Sequence, residues 1–199
     1  MEILVIRHGQ SEADILHRLE GRADFPLTDL GVDQATRMAE WVSHNYKPDM
    51  IFSSTLRRAS KTAEILADAT GVEATFLPEL MEFNNGLVAG LTHEEADAKY
   101  PRPSVIRPHE SYYQQESLIQ FRSRAEEVLS RILYEHPPES RVAVVSHGGM
   151  INMLFRCFLR LPMDSDFSIA TADTGIHLWV VRDDQSRHIA FLNSTRHLL

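Results

Sequence analysis

The chain has 199 residues, with 20 lysines and arginines against 28 aspartates and glutamates and a formal net charge of −8. This acidic balance argues against a general nucleic-acid binder and against a protein held on anionic membranes. Apolar residues make up 43% of the sequence, enough to bury one sizeable core, so we expect a single globular domain.

The cysteine count and the length of the apolar runs indicate the cellular location of the protein. The single cysteine, Cys157, rules out a disulfide framework, and its apolar helical surroundings are more typical of a core residue than of a nucleophile. No apolar run approaches the roughly 18 residues of a membrane span, and no secretory signal opens the chain. We therefore expect a cytoplasmic protein.

A short apolar run over residues 3–6 opens the chain and ends abruptly in Arg7, His8 and Gly9. Such a run predicts a buried strand, and open α/β sheets bind ligands at the carboxyl ends of their strands. Arg7 offers donors that suit a phosphate or a carboxylate, and His8 can act as a nucleophile or proton carrier. Taken alone, a strand with a chance polar ending is an equally good interpretation.

Helical and strand periods alternate along the following residues. They predict, in order, a polar irregular segment over 10–27, a helix capped by Thr28 or Asp29 and ended by Pro48, a strand over 50–52, a helix from Leu56 to Gly71 and a strand over 72–77.

Residues 83–115 differ from the rest because they are rich in proline and turn residues. We interpret them as an inserted surface excursion that forms the rim of a site, with a short helix over 93–100 started by a Thr92–Glu95 capping box. Five side chains are candidates for contacting a polar or second anionic group, although a solvated loop is at least as good an interpretation. They are Arg102, Arg107, His109, Tyr112 and Tyr113.

The last part of the chain completes an alternating pattern. It predicts a helix over 116–135, a strand over 142–145, a helix over 150–161 and two strands over 175–182 and 188–193. We expect one α/β domain over residues 1–199, with three α/β/α layers and a mixed, mainly parallel central sheet whose last two strands form an antiparallel edge.

Two predicted strands end in the same chemistry. Arg7-His8-Gly9 follows the first strand, and Ser146-His147-Gly148 follows the strand over 142–145. Adjacent strand ends share one crevice, so His8 and His147 can meet there. Arg57 and Arg58 add positive charge at a helix start, which itself attracts anions. The combination predicts a pocket for a phosphoryl group.

No metal site is predicted. His93-Glu94-Glu95 lacks the spacing of a metal-binding motif, and there are no paired cysteines. We assign the remaining histidines to polar surface positions: His17, His44, His93, His109, His136, His177, His188 and His197.

Five motifs in this order resemble the histidine phosphatase superfamily, the phosphoglycerate-mutase-like proteins with an Arg-His-Gly motif. They are Arg7-His8-Gly9-Gln10-Ser11, the segment from Gly21 to Ala35, the segment from Ser53 to Ala63, the segment from Leu80 to Gly86, and Val145-Ser146-His147-Gly148-Gly149. The spacing of the third motif selects Arg58 over Arg57. Together the motifs span nearly the whole chain.

The resemblance implies a role for each matching residue. His8 would attack phosphorus and become a phosphohistidine, while Arg7, Arg58 and His147 would hold the equatorial oxygens. Glu82 would protonate the departing oxygen and then activate water. Three further positions, Asp14, Gly21 and Gly148, would contribute to substrate binding.

The family also implies the mainly parallel three-layer fold and a reaction without metal or cofactor. The activity expected is a phosphoric monoester hydrolase of the histidine acid phosphatase type acting on a small phosphorylated metabolite. A phosphoglycerate-type mutase and a non-catalytic regulator that binds a phosphorylated ligand are the alternatives.

Two departures from the family pattern stand out. Asp14 occupies a position where the family commonly has an asparagine that helps bind phosphate, and a carboxylate there would repel the substrate. We hypothesise that Arg18 or His17 offsets it. Residues 83–90 also lack the Trp-Glu-Gly ending common after the acidic residue, which changes the wall that faces the substrate.

Overall fold

The computed structural model describes residues 1–199. Its strands are β1 (Glu2–Arg7), β2 (Met50–Ser53), β3 (Ala74–Phe76), β4 (Arg141–Ser146), β5 (Ile176–Val181) and β6 (Arg187–Ser194). They form one sheet in the order β3-β2-β4-β1-β5-β6. The strands from β3 to β1 pair in parallel, whereas β5 runs antiparallel to β1 and β6 antiparallel to β5. The predicted mixed sheet with an antiparallel edge is confirmed.

The helices cover both faces of the sheet. They are α1 (Glu12–Ile15), α2 (Asp29–Asn45), α3 (Arg57–Thr70), α4 (His93–Lys99), α5 (Leu118–Tyr134) and α6 (Gly148–Phe158). Alternate residues of β1 enter opposite cores: Leu4 and Ile6 pack with α2 and α3, and Ile3 and Val5 pack with α5 and α6. This confirms the three layers. None of the six helices combines the length and apolar character needed to cross a bilayer.

Local capping explains where the helices begin and end. The Thr28 hydroxyl accepts a hydrogen bond from the Gly31 N–H at 3.0 Å, so Thr28 rather than Asp29 caps α2. Gly71 ends α3 with φ +70°, a conformation that suits glycine. The predicted capping box of Thr92 and Glu95 begins α4. These three signals were readable because each depends only on neighbouring residues.

The structure differs from the sequence-based expectations at α1 and at two histidines. Residues 12–15 form the one-turn helix α1 inside the segment predicted to be irregular, because one turn is too short to show helical periodicity. The assignment of His177 and His197 to the surface is wrong, since both are buried. Burial lowers the pKa of each to about 4, so both are neutral core histidines.

Candidate active site

The ends of three parallel strands build the floor of the site. In the β1–β4 pairing Arg7 lies opposite Ser146, so the next residues, His8 and His147, leave the sheet side by side. Their ring centroids are 5.0 Å apart. The next strand, β2, ends at Ser53 at the same edge. The strand register therefore produces the meeting of the two histidines that was predicted.

His8 is held as a neutral imidazole with a lone pair on one ring nitrogen. Its ring is buried, and Nδ1 donates to the Gly9 carbonyl oxygen at 2.7 Å, which leaves the lone pair on Nε2. Burial, followed by the charges of Arg58 and Arg7, holds the pKa of His8 well below its usual range. An imidazole in this state can attack an electrophile near neutral pH without a base to remove a proton.

Arg58 lies beside that nitrogen and is fixed on all sides. Its side chain is fully buried, and Nε donates to His8 Nε2 at 3.2 Å. The other two nitrogens donate to the carbonyl oxygens of Ala23 at 3.0 Å and Gly21 at 2.9 Å. The side chain of Arg57, one residue earlier, is exposed. The structure thus places Arg58, the arginine selected by motif spacing, in the pocket.

His147 presents an unpaired donor beside His8. Its Nε2 lies 2.7 Å from the Ser54 hydroxyl, which accepts from the Leu56 N–H and can therefore donate to the ring. That arrangement leaves the ring proton on Nδ1, which is buried and has no partner within the protein. An unpaired buried N–H calls for an acceptor, and a phosphoryl oxygen bound at His8 would supply one.

Arg7 forms the outer wall of the pocket. One guanidinium nitrogen donates to the Thr171 carbonyl oxygen at 2.9 Å, and the other lies 3.3 Å from Asp173 and 3.8 Å from Asp14. Its Nε is buried without a partner. The guanidinium is therefore oriented by protein oxygens while one N–H remains free for a ligand.

The partner of Asp14 differs from the one we hypothesised. Arg18 donates to the Gly90 carbonyl oxygen at 2.6 Å and lies 3.7 Å from Glu95, so it is engaged elsewhere. His17 is exposed. Asp14 instead accepts from the Ser11 N–H at 2.8 Å and faces Arg7. A local helix cap and the first motif arginine hold this carboxylate.

Glu82 is clamped at the start of α6. One carboxylate oxygen accepts from the Phe83 N–H at 2.7 Å and the other from the Gly149 N–H at 2.8 Å. A Cβ at position 149 would collide with this carboxylate, so the second glycine of the Ser-His-Gly-Gly motif makes room for it. Two backbone donors and a helix N-terminus thus position Glu82.

The two glycines predicted to bind substrate have different places in the structure. Gly21 has φ +48° and its carbonyl oxygen accepts from Arg58, so it orients the pocket arginine. Gly148 begins α6 directly after His147, and its carbonyl oxygen accepts from the Asn152 amide at 3.0 Å. Direct contact of either glycine with substrate stays a prediction.

Glu20 is a site residue that the sequence did not indicate. Its carboxylate oxygens lie 3.3 Å from Arg58 Nε and 3.7 Å from His8 Nε2, and one accepts from the Ser11 hydroxyl. It comes from the irregular segment over 10–27, where no periodic pattern shows which side chains point inward. Only the folded loop brings this carboxyl into the pocket.

Arg124 on α5 was also not indicated, and it organises the segment that carries Glu82. It donates to the carbonyl oxygens of Glu79 at 2.8 Å, Met81 at 2.5 Å and Glu82 at 2.8 Å. It also forms a two-point ion pair with Glu116, with contacts of 3.0 and 2.6 Å. Arg124 is therefore a positioning residue for the Glu82 carboxylate.

Replacing Arg124 with alanine is expected to destabilise the fold by about 3 kcal/mol, because three carbonyl oxygens and a mostly buried carboxylate lose their donor. Thermal unfolding measures this loss, and Arg131→Ala on the same helix is the control, since Arg131 forms only an exposed pair with Glu135. Equal unfolding temperatures for the two variants would contradict the assigned role.

Residues 83–115 leave the site at Glu82 and return to it at Glu116. Together with the loop at Leu19 they line an open cavity of about 620 Å³, whose walls carry apolar and aromatic side chains, Arg102, and the carboxylates of Asp97, Glu110 and Glu116. Tyr112 and Tyr113 are among its aromatic residues. Arg107 and His109 do not line it. Arg107 is exposed and pairs with Glu110 at 2.9 Å. Nowhere do three or more His, Cys, Asp or Glu side chains converge as a metal would require.

Known proteins resemble this chain over most of its length. The family model of the histidine phosphatase superfamily (branch 1) matches residues 3–195. Glucosyl-3-phosphoglycerate phosphatase of Mycobacterium tuberculosis is 31% identical over 175 residues, covering 81% of this chain and 76% of the relative. The probable phosphoglycerate mutase GpmB of Proteus mirabilis is 35% identical over 170 residues, with the same coverage of 81% and 76%.

Solved structures agree with the sequence relatives. The mycobacterial glucosyl-3-phosphoglycerate phosphatase in complex with VO3 superposes with a TM-score of 0.85 at 26% identity, covering 97% of this chain and 99% of that chain. The family match spans all five motifs and all six strands except Glu2, the first residue of β1. The chain belongs to the histidine phosphatase superfamily, branch 1.

Proposed function

We propose that this protein is a metal-independent phosphomonoesterase that hydrolyses a small phosphorylated metabolite through a phosphohistidine on His8. The observation that carries the proposal is the state of His8: a buried imidazole whose Nδ1 donates to the Gly9 carbonyl oxygen and whose Nε2 lone pair accepts from Arg58. Similarity to a named phosphatase supports the same reaction class. The histidine acid phosphatase type, the finer expectation from the sequence, is part of the same proposal.

In the first step the Nε2 lone pair attacks phosphorus, a P–N bond forms and the ester P–O bond breaks. Negative charge spreads over the equatorial oxygens, where Arg58, the free Nε–H of Arg7 and Nδ1–H of His147 can donate. A proton on Glu82 passes to the departing alcohol oxygen. The guanidinium groups supply positive charge that would otherwise have to come from a cation.

In the second step water attacks the phosphohistidine. Glu82, now a carboxylate, removes a proton from that water, the P–N bond breaks, and inorganic phosphate leaves. His8 Nε2 recovers its lone pair, and the bond from Nδ1 to Gly9 keeps the same tautomer throughout. The cycle therefore returns every proton to its starting position without a cofactor.

The organic part of the substrate would extend from Glu82 toward residues 83–115. The cavity beside this segment is lined by apolar and aromatic side chains, by Arg102, and by the carboxylates of Asp97, Glu110 and Glu116. We propose that the segment forms the substrate rim and selects the substrate.

A trapping experiment tests the proposed function. The protein is mixed with p-nitrophenyl phosphate, quenched in alkali to preserve phosphohistidine, and digested for mass spectrometry. We expect one added phosphoryl group on the peptide that contains His8, together with release of inorganic phosphate. His8→Ala should show neither, whereas His17→Ala, which changes an exposed histidine, should behave like the wild type.

Two other results would replace the proposal. Phosphate on His8 that is not released as inorganic phosphate but is transferred to an added acceptor alcohol would favour a mutase. Absence of both labelling and turnover, with phosphate still bound, would favour a regulator that binds a phosphorylated ligand. Turnover that survives in His8→Ala would remove the proposed nucleophile.

A further inference from the structure

The phosphoryl pocket holds an excess of acidic groups. Its two guanidiniums, Arg7 and Arg58, face the carboxyls of Asp14, Asp173 and Glu20 at 3.8 Å or less. A phosphate monoester brings further negative charge into the same space. Because like charges in a partly buried site repel strongly, ionised carboxyls here lower the affinity of the pocket for an anion.

Glu20 is the carboxyl nearest to the reacting atoms. One oxygen lies 3.3 Å from Arg58 Nε and the other 3.7 Å from His8 Nε2. A phosphorus atom poised for attack would lie about 3 Å from Nε2, with its equatorial oxygens at the Arg58 donors. Glu20 therefore occupies space beside the Arg58 donors that equatorial phosphoryl oxygens need. It cannot protonate the leaving oxygen, which lies beyond phosphorus on the side away from His8.

We propose that Glu20 makes filling of the phosphoryl site proton-coupled: the carboxylate blocks the site, and an anion enters together with one proton on Glu20. The protonated carboxyl can then donate a hydrogen bond to an equatorial oxygen instead of repelling it. This inference rests on the proposed function, because it assigns the same pocket to a phosphoryl group. It predicts that anion affinity declines as pH rises.

The surroundings of Glu20 are consistent with such a proton. Its carboxyl is mostly buried and receives a hydrogen bond from Ser11. The charged or titratable groups that face it are Arg7 and His8 from the end of β1, Asp14 from α1 and Arg58 from α3. Burial raises the pKa of Glu20, and Asp14 adds to the rise, while Arg58, Ser11 and Arg7 oppose it. An anion bound at Arg58 would oppose ionisation further.

Sulfate is a suitable probe because it stays dianionic across the test range, so any pH dependence belongs to the protein. Titration calorimetry from about pH 5 to about pH 8, in buffers of different ionisation enthalpy, gives both affinity and protons taken up. Above the pKa of Glu20 the wild-type affinity should fall by up to about tenfold per pH unit, with one proton bound per sulfate. Glu20→Gln should bind sulfate with a shallower pH dependence and about one proton fewer.

Glu12→Gln is the matched control, because Glu12 is an exposed carboxylate eight residues earlier in the chain and should leave the wild-type profile unchanged. Glu20→Ala serves as a second variant and should also lose the proton uptake. Equal numbers of protons taken up per sulfate in the wild type and in Glu20→Gln would overturn the inference. That result would also be obtained if the ionised Glu20 side chain moved aside when sulfate binds.

Turnover of p-nitrophenyl phosphate separates this inference from the proposed function. If Glu20→Gln changes the proton count but no turnover depends on His8, the proposed function fails and the Glu20 inference stands. If turnover depends on His8 while the proton counts are equal, the Glu20 inference fails alone. Where both hold, the ratio of kcat/KM for Glu20→Gln to that of the wild type should rise with pH.

Discussion

Arg58→Ala is expected to lower kcat/KM for phosphate-ester hydrolysis by about 10³- to 10⁵-fold, the range associated with an arginine that stabilises phosphoryl transfer. The guanidinium is fully buried and fixed by two carbonyl oxygens, and its Nε–H, which donates to His8 Nε2, can pass to an equatorial oxygen as the Nε2 lone pair attacks phosphorus. The variant should also be less stable by about 3–5 kcal/mol, because Glu20 loses its nearest positive charge.

Steady-state kinetics and thermal unfolding measure these two effects separately. Arg57→Ala removes an exposed guanidinium from the adjacent position and should leave both nearly unchanged. Arg58→Lys keeps the charge but loses the fork of donors, and should fall between the wild type and alanine. A folded Arg58→Ala variant within tenfold of the wild type would show that this guanidinium does not carry transition-state charge.

The pKa of His8 in the Arg58→Ala variant gives a further test. The Arg58 charge is the largest cause, after burial, of the lowered His8 pKa. Removing it should raise that pKa toward the usual range, so the imidazole begins to protonate at a higher pH. NMR titration of the ring would detect the shift. A loss of activity without this shift would mean that Arg58 acts at a distance from His8.

The convergence of His8, His147 and Arg58 was predictable because local rules decide it. A buried apolar run identifies a parallel strand, a glycine after a histidine marks the turn, and parallel neighbours end at the same edge. The observed register, with Arg7 opposite Ser146, follows from these rules once β1 and β4 are adjacent. The family resemblance then supplied what no local rule gives: the choice of Arg58 over Arg57, the expected role of each site residue, and Glu82 as a member of the site.

Glu20 and Arg124 could not be predicted from the sequence, for a physical reason. Glu20 lies in a loop, where the direction of a side chain is decided by contacts such as those with Ser11 and Arg58 rather than by a repeating period. Arg124 lies on a helix whose spacing shows only that this position is partly buried, not which carbonyl groups it meets. Charged partners separated by tens of residues leave no pattern that a single sequence displays.

Glu82→Gln tests the proton donor by comparing leaving groups. Nitrophenolate departs readily without a proton, whereas an alkoxide does not. We expect kcat/KM to fall by about 10²- to 10⁴-fold for glycerol phosphate but by less than about tenfold for p-nitrophenyl phosphate. The amide must also place an NH₂ group against one of the two N–H donors, from Phe83 and Gly149, that now hold the carboxylate. Any such structural disturbance should lower kcat/KM equally for both substrates. The ratio of the two kcat/KM values therefore reports proton transfer alone.

The second step gives an independent result with the same variant. Because Glu82 should also activate the water that attacks phosphohistidine, Glu82→Gln is expected to release a burst of nitrophenol about equal to the enzyme present and then turn over slowly. Glu94→Gln, an exposed carboxylate change on α4, should show neither the burst nor the substrate split. Equal losses for the two substrates, with no burst, would assign Glu82 to holding the α6 start and leave proton transfer to another group.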